Sequence, residues 1–216
     1  MRMLQDTTAI LLAAGESKRF GSNNKLLEPI DGKSILHQCV ITLLHSNVQR
    51  IVVVTGHNHA LIKQSLEAFY SQNVYSKNLS ICFNSRYQHG QSSSIHTGIE
   101  HCKESSAVLI CLADMPHVQT TTINSLLRSA QDNPQSTMVA PQFNNKRGNP
   151  VLFKRSVFGD LLSINGDTGA KHYIDQHAEQ LTLVQVDDAG ICRDYDTPGD
   201  FSNCTTAKLP GGIREE

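Results

Sequence analysis

Three basic side chains, Lys18, Arg19 and Lys25, follow an apolar run and a short loop of small residues, Ala13-Ala14-Gly15-Glu16-Ser17. That combination suits a polyphosphate. Gly15 lets the backbone approach an anion closely, and N–H groups left unpaired in such a loop form a concave nest. Lysine and arginine then neutralise the phosphates, arginine through a bidentate fork. Two better-known phosphate loops are excluded by spacing. A P-loop places four residues between its glycines and a lysine after the second, whereas five separate Gly15 from Gly21 here and Ser22 follows. A dinucleotide fingerprint needs a second glycine two residues away, and Ala13 and Ser17 occupy those places.

The second chemical feature is Asp114, which ends the apolar run 107–113 and precedes Met115-Pro116. A carboxylate beside a phosphate site makes electrostatic sense with a cation between them. Mg2+ fits, because it prefers oxygen ligands and bridges carboxylate to phosphate. A second acidic cluster, Asp194-Tyr195-Asp196 with Asp200, supplies Asp196 as the expected second metal ligand. Thr197, Pro198 and Asp200 also suit the first turn of a helix, so part of this cluster reads as capping. Ser92, Ser93 and Ser94 open a helical pattern, where N–H groups favour anions and hydroxyls bond to sugar or base edges. Two glycine-bearing loops, 146–153 and 164–171, carry Gly148, Asn149, Asp167, Gly169 and Lys171 and are candidates to line a second, anionic substrate. Turn chemistry alone accounts equally well for their composition.

These residues need a frame that brings strand ends together. Apolar runs at 8–13, 51–55, 79–83 and 107–113 alternate with helical patterns at 60–70, 92–100 and 119–130 and with one capped by Ser34. The run 51–55 is almost wholly β-branched, as a strand buried on both faces would be. Alternation of this kind predicts a mainly parallel sheet covered by helices on both faces, with ligands beyond the carboxyl ends of the strands. The second half is less regular: 137–140 and 150–153 read as strands flanking a polar turn, and 181–186 as a further strand. One domain over residues 7–206 is expected, with a flexible tail at 207–216.

Composition narrows the partners. A net charge of −1 gives no electrostatic case for duplex nucleic acid or an anionic membrane. No apolar run approaches the ~20 residues that span a bilayer, and the first six residues lack the apolar core of a secretory signal, so a cytoplasmic protein is expected. The six cysteines show no C-x-x-C spacing and read as reduced, buried thiols. His57 and His59 are the one tight histidine pair, and surface or loop histidines are the simpler reading.

In order, the segments are L-A-A-G-x-S-x-R-F-G with N-K-L-L, V-V-V-T-G-H, G-x-S-S-S-x-x-x-G, L-A-D-M-P, R-G-N-P-V-L-F, G-D-T-G-A-K and D-x-D-T-P-x-D. Together they resemble the molybdenum cofactor cytidylyltransferase family, within the MobA-like nucleotidyltransferases, over roughly residues 8–203. The resemblance implies a three-layer α/β/α Rossmann-like fold with a mainly parallel mixed sheet. It implies transfer of CMP from CTP to the molybdopterin cofactor, with Mg2+ and release of pyrophosphate. On that resemblance, Leu12, Ala13, Ala14, Gly15, Ser17 and Lys18 contact the nucleotide, Arg19 and Lys25 the triphosphate, and Asp114 and Asp196 the metal. Gly56 and His57 fall where the T-G-H loop nears the nucleotide, and Ser92, Ser93 and Ser94 where the base or ribose lies. Gly148, Asn149, Asp167, Gly169 and Lys171 fall on the pterin side. Gln91 stands where methionine is common, and Lys171 where arginine is. A guanylyltransferase, a sugar- or polyol-phosphate nucleotidyltransferase and a non-catalytic cofactor carrier are the alternatives; a client molybdoenzyme or its chaperone would be a further partner.

Overall fold

Strand β1 (Thr7–Ala13) is buried along its whole length and lies at the middle of the sheet. Its alternating side chains feed two cores. Ala9, Leu11 and Ala13 face one, while Ile10 and Leu12 face the other. Strands with two buried faces read as continuous apolar runs, which is why these segments stand out in the sequence. The computed structural model describes residues 6–17, 24–71, 78–167, 169–196 and 200. Lys18, Arg19, Gly21, Cys204 and the tail 207–216 lie outside the described residues.

After β1 come a short ribbon of β2 (Pro29–Ile30) and β3 (Lys33–Ser34), helix α1 (Ile35–His45) and strand β4 (Arg50–Thr55). Ser34 caps α1 as expected, its Oγ accepting the His37 N–H at 3.2 Å. Then follow α2 (His59–Ser71), β5 (Asn78–Phe83), α3 (Gln91–Glu100), β6 (Ala107–Leu112) and α4 (Thr120–Asp132). The remainder is β7 (Met138–Phe143), β8 (Lys146–Arg147), β9 (Val151–Lys154), α5 (Phe158–Leu161), α6 (Lys171–Gln176) and β10 (Leu181–Gln185).

The main sheet has the order β10-β7-β9-β6-β1-β4-β5, with β8 paired to β7. β1 pairs in parallel with both β4 and β6, β4 with β5, and β10 with β7. β9 is antiparallel to both β6 and β7, so the sheet is mixed but mainly parallel. One core packs α1, α2 and α4 on one face; the other packs α3, α5 and α6 on the opposite face. This is the expected three-layer α/β/α arrangement. The chain leaves edge strand β5 through α3 and re-enters beyond β1 at β6, so the crossover changes faces there. Such reversals open a crevice at the strand ends.

Two local features lie beyond the sequence pattern. Helix α4 opens at Thr120, and its N-cap Gln119 makes no side-chain cap bond. The buried Asp188 carboxylate does that work, accepting the Gln119 N–H at 2.9 Å and the Thr122 hydroxyl at 2.6 Å. A remote carboxylate thus takes one backbone N–H and one hydroxyl at the helix start and also complements the helix dipole. The polar turn between 140 and 150 contains a strand of its own, β8, paired with β7 through Gln142–Arg147 and Phe143–Lys146.

Candidate active site

The loop after β1 and the loop after β6 lie side by side because their strands pair in register, and the Ala113 N–H reaches the Leu12 carbonyl at 3.1 Å. A cleft of ≈ 520 Å³ opens over these strand ends. Leu12, Ala13, Ala14, Gly15, Ser17, Lys25, Ser94, Asp114, Asp167 and Asp196 line it. At its centre the Lys25 ammonium donates to Asp114 Oδ2 at 2.8 Å and to Asp196 Oδ1 at 2.7 Å. Lys25 sits in a short 3-10 turn, Lys25–Leu27, whose start is capped by Asn24 through Leu26 N at 3.0 Å. Burial alone would lower the Lys25 pKa, but the two carboxylates outweigh it and hold the ammonium above its ordinary value.

Asp194 and Asp196 are thereby distinguished. Asp196 lines the cleft and meets Lys25, whereas Asp194 is absent from that wall. Partial desolvation of the carboxyl group, with the neighbouring Asp196 and Asp114 carboxylates, raises the pKa of Asp194, a residue exposed overall.

Gly15 lines the cleft, and a Cβ built on it would meet no atom within 4 Å. Ser17, in the cleft wall, has φ +51°, and its buried Oγ has no hydrogen-bond partner among the described residues. Gly56 and His57 stand behind this loop. The His57 N–H donates to the Ala14 carbonyl at 3.3 Å, and a Cβ on Gly56 would lie 2.5 Å from the Tyr87 Cβ and 2.8 Å from the Ala14 oxygen. They support the loop and do not line the cleft.

All three serines are buried, and of them Ser94 lines the cleft, its Oγ accepting from Asn84 Nδ2 at 3.0 Å. Ser93 Oγ lies 2.8 Å from both the Arg86 and Gly90 carbonyls, which share its one proton, and accepts from Asn84 Nδ2 at 2.8 Å. Tyr87, Gln88, Gly90 and Gln91 face the cleft beside Ser94, and of these only Gln91 had been singled out in the sequence. Helical spacing was the available signal: with α3 starting at Gln91, positions 91 and 94 share a face. Gly90 has φ +90°, and any Cβ there would strike Asp167 Oδ1 and the Gly166 backbone. The loop carrying Asp167 is thus pressed onto the start of α3, with the Ser92 N–H on the Gly166 carbonyl at 3.2 Å.

A second cleft of ≈ 310 Å³ adjoins the first, with Gln91 and Leu112 lining both. Gly148, Asn149 and Lys171 line it, as does Arg147, which holds Asp175 at 2.8 Å. Part of its wall is apolar, through Ile110, Val151, Phe153 and Ile174. Gly169 lies against the Gln91 side chain at the junction.

Among the described residues no group of three or more His, Cys, Asp or Glu side chains forms a metal cage. Two carboxylates fit a different donor set, in which one or two carboxylates and substrate phosphate oxygens share a Mg2+ ion. Among the described residues no helix is long and apolar enough to cross a membrane. Of the described cysteines, Cys39, Cys82, Cys102 and Cys111 are buried free thiols, as expected, and Cys192 is exposed.

An α/β/α sheet with a carboxylate–lysine cluster over its central strand ends defines a nucleotide-processing enzyme. Residues 9–181 match the MobA-like NTP transferase domain; the chain belongs to this family and is a nucleotidyltransferase. Nicotine blue oxidoreductase of Paenarthrobacter nicotinovorans is 26% identical over 197 residues, covering 88% of this chain and 92% of its own. The bifunctional protein GlmU of Legionella pneumophila is 31% identical over 188 residues, covering 85% of this chain but only 37% of GlmU. Rv0371c of Mycobacterium tuberculosis superimposes with a TM-score of 0.75 at 20% identity, covering 94% of this chain and 98% of its own. Rv0371c has also been solved as a complex with manganese. Nucleotidyltransferases of this kind are typically divalent-metal dependent.

Proposed function

We propose that this protein transfers CMP from CTP to the terminal phosphate of the molybdopterin cofactor, giving the cytosine dinucleotide cofactor and pyrophosphate. The observation that carries the reading is the pair of adjoining clefts. One holds Lys25 between Asp114 and Asp196, and the other sets Arg147 and Lys171 beside a partly apolar wall. The first suits a metal-bound triphosphate. The second suits a flat heterocycle that carries an anion. The family motifs in loops 146–153 and 164–171 add the pterin assignment.

The acceptor phosphate is already an anion near neutral pH, so no base is needed. Its oxygen forms a bond to the α-phosphorus of CTP. The bond from that phosphorus to the bridging oxygen breaks, and pyrophosphate leaves with the electron pair. The protein's task is to hold two anions in line and to offset their repulsion. Lys25, with Lys18 and Arg19, neutralises the α-phosphate and the leaving group. Ser17 and the backbone of Ala14 and Gly15 orient the triphosphate, and Ser94 meets the nucleoside. Arg147 and Lys171 steer the acceptor anion toward the junction at Gln91. Asp114 and Asp196 would hold Mg2+, which when bound supplies further positive charge to the phosphates.

Pyrophosphate release from purified protein with Mg2+ and molybdopterin cofactor, with CTP, GTP, ATP and UTP supplied separately, tests the reading. Release that requires both CTP and the cofactor is expected. Release with GTP alone would assign a guanylyltransferase, and no release from folded protein would remove the proposal.

A further inference from the structure

Asp196 reaches the cleft from a segment that meets the Asp114 loop only through long-range contacts. That segment, 188–196, is tied to loop 114–119 at several points. The Asp188 carboxylate accepts from Gln119 N at 2.9 Å, and the Tyr195 N–H donates to the Asp114 carbonyl at 3.0 Å. Gly190 is pressed onto the His117 carbonyl so closely that a Cβ would collide with it. The Tyr195 phenol and His117 Nε2 form a hydrogen bond across the two segments.

Tyr195 is fully buried, although an exposed Asp194 precedes it and a half-buried Asp196 follows. Side chains in an extended segment point alternately to opposite sides. Burying Tyr195 therefore turns Asp196 outward, and the Tyr195 N–H on Asp114 sets how far along the segment this happens. The Arg193 guanidinium, 5.3 Å from the Tyr195 ring centroid, covers the ring. A slip of one residue would bring the tyrosine to the cleft and take the carboxylate away from Lys25.

We infer that Tyr195 and His117 are positioning residues, a phenol–imidazole latch that places Asp196 beside Asp114 at the divalent-cation site. The inference rests on the reading of Asp196 as a ligand of that cation. The ring supplies burial, and the hydroxyl supplies direction. Partners behind a metal ligand typically change metal affinity or activity ~10–100-fold when removed.

The test is Mn2+ binding followed by electron paramagnetic resonance with CTP present and no acceptor, beside melting temperature and metal-free CTP affinity. Tyr195→Phe keeps the ring and removes the hydroxyl. His117→Ala removes the partner, and His117→Gln keeps an amide that reaches the same phenol. Tyr195→Phe and His117→Ala are expected to weaken Mn2+ binding ~10-fold with metal-free CTP affinity unchanged, and His117→Gln to restore most of it. Wild-type Mn2+ affinity in Tyr195→Phe overturns the latch. Should that variant fail to fold, the histidine pair decides: equal Mn2+ affinity in the Ala and Gln variants overturns it as well. Asp196→Ala separates the two levels. If it leaves Mn2+ binding unchanged, the metal assignment falls and the latch with it; if it weakens binding while Tyr195→Phe does not, the latch alone falls.

Discussion

Lys25 has two carboxylates within 2.8 Å, and this arrangement governs what single substitutions do. Removing Asp114 leaves the ammonium paired with Asp196, so the fold is expected to survive. Asp114→Ala should lower turnover by at least ~10²-fold, with a melting temperature close to wild type, measured by pyrophosphate release and thermal melting. Near-normal turnover in the folded variant would remove Asp114 from the mechanism. A pH effect on stability follows from two other side chains. Burial lowers the pKa of His37, and burial together with Arg193 lowers that of His117, both from an ordinary 6.5. As pH falls below about 6.5 the unfolded chain takes up these protons before the folded one does, so stability declines until the folded-state histidines also protonate. Denaturant titrations between pH 8 and pH 5 should show that decline. It should be smaller in His37→Gln, in which an amide retains reach to the Ser65 hydroxyl now 3.0 Å from His37 Nε2. An identical pH slope in that variant would exclude His37 as a source.

At the scale of elements, the start of α3 is the most exacting junction. Gly90 holds φ +90° while Asp167 and Gly166 pack where a side chain would be. Gly90→Ala should cost more than ~1 kcal/mol in chemical denaturation, because the backbone is strained for any L residue and the 164–170 loop must also move. It should also raise KM for both substrates, since Asp167 lines one cleft and Gln91 lines both. Full stability with normal kinetics would show that the loop can be displaced without consequence. The capping of α4 carries a related lesson. The N–H at its N-cap is met by Asp188, 69 residues from Gln119. Local propensity gives the helix; a distant segment gives its cap.

For the molecule as a whole, function depends on two clefts meeting over one sheet. Antiparallel β9, inserted between β6 and β7, brings the loop with Arg147, Gly148 and Asn149 beside the parallel half that holds Lys25 and Asp114. Substrates in separate clefts should respond separately. A double substitution, Arg147→Ala with Lys171→Ala, is expected to raise acceptor KM about 10-fold while leaving CTP KM unchanged, read from steady-state kinetics. A matching rise in CTP KM would show that the second cleft does not serve the acceptor alone. Much of this arrangement is legible in the sequence. Buried parallel strands must be apolar on both faces, so β1, β4 and β6 announce themselves, and the small-residue loop and Asp114 follow directly from their ends. Residue types also named Lys25 and Asp196 as members of the site. Only the tertiary structure decided that they touch, across 171 residues, and that of the three buried serines Ser94 lines the cleft. The physical reason is range. Periodicity and turn chemistry act within a few residues, whereas side-chain direction at a junction depends on which remote segment packs there. The place of β9 and the register of segment 188–196 depend on it in the same way.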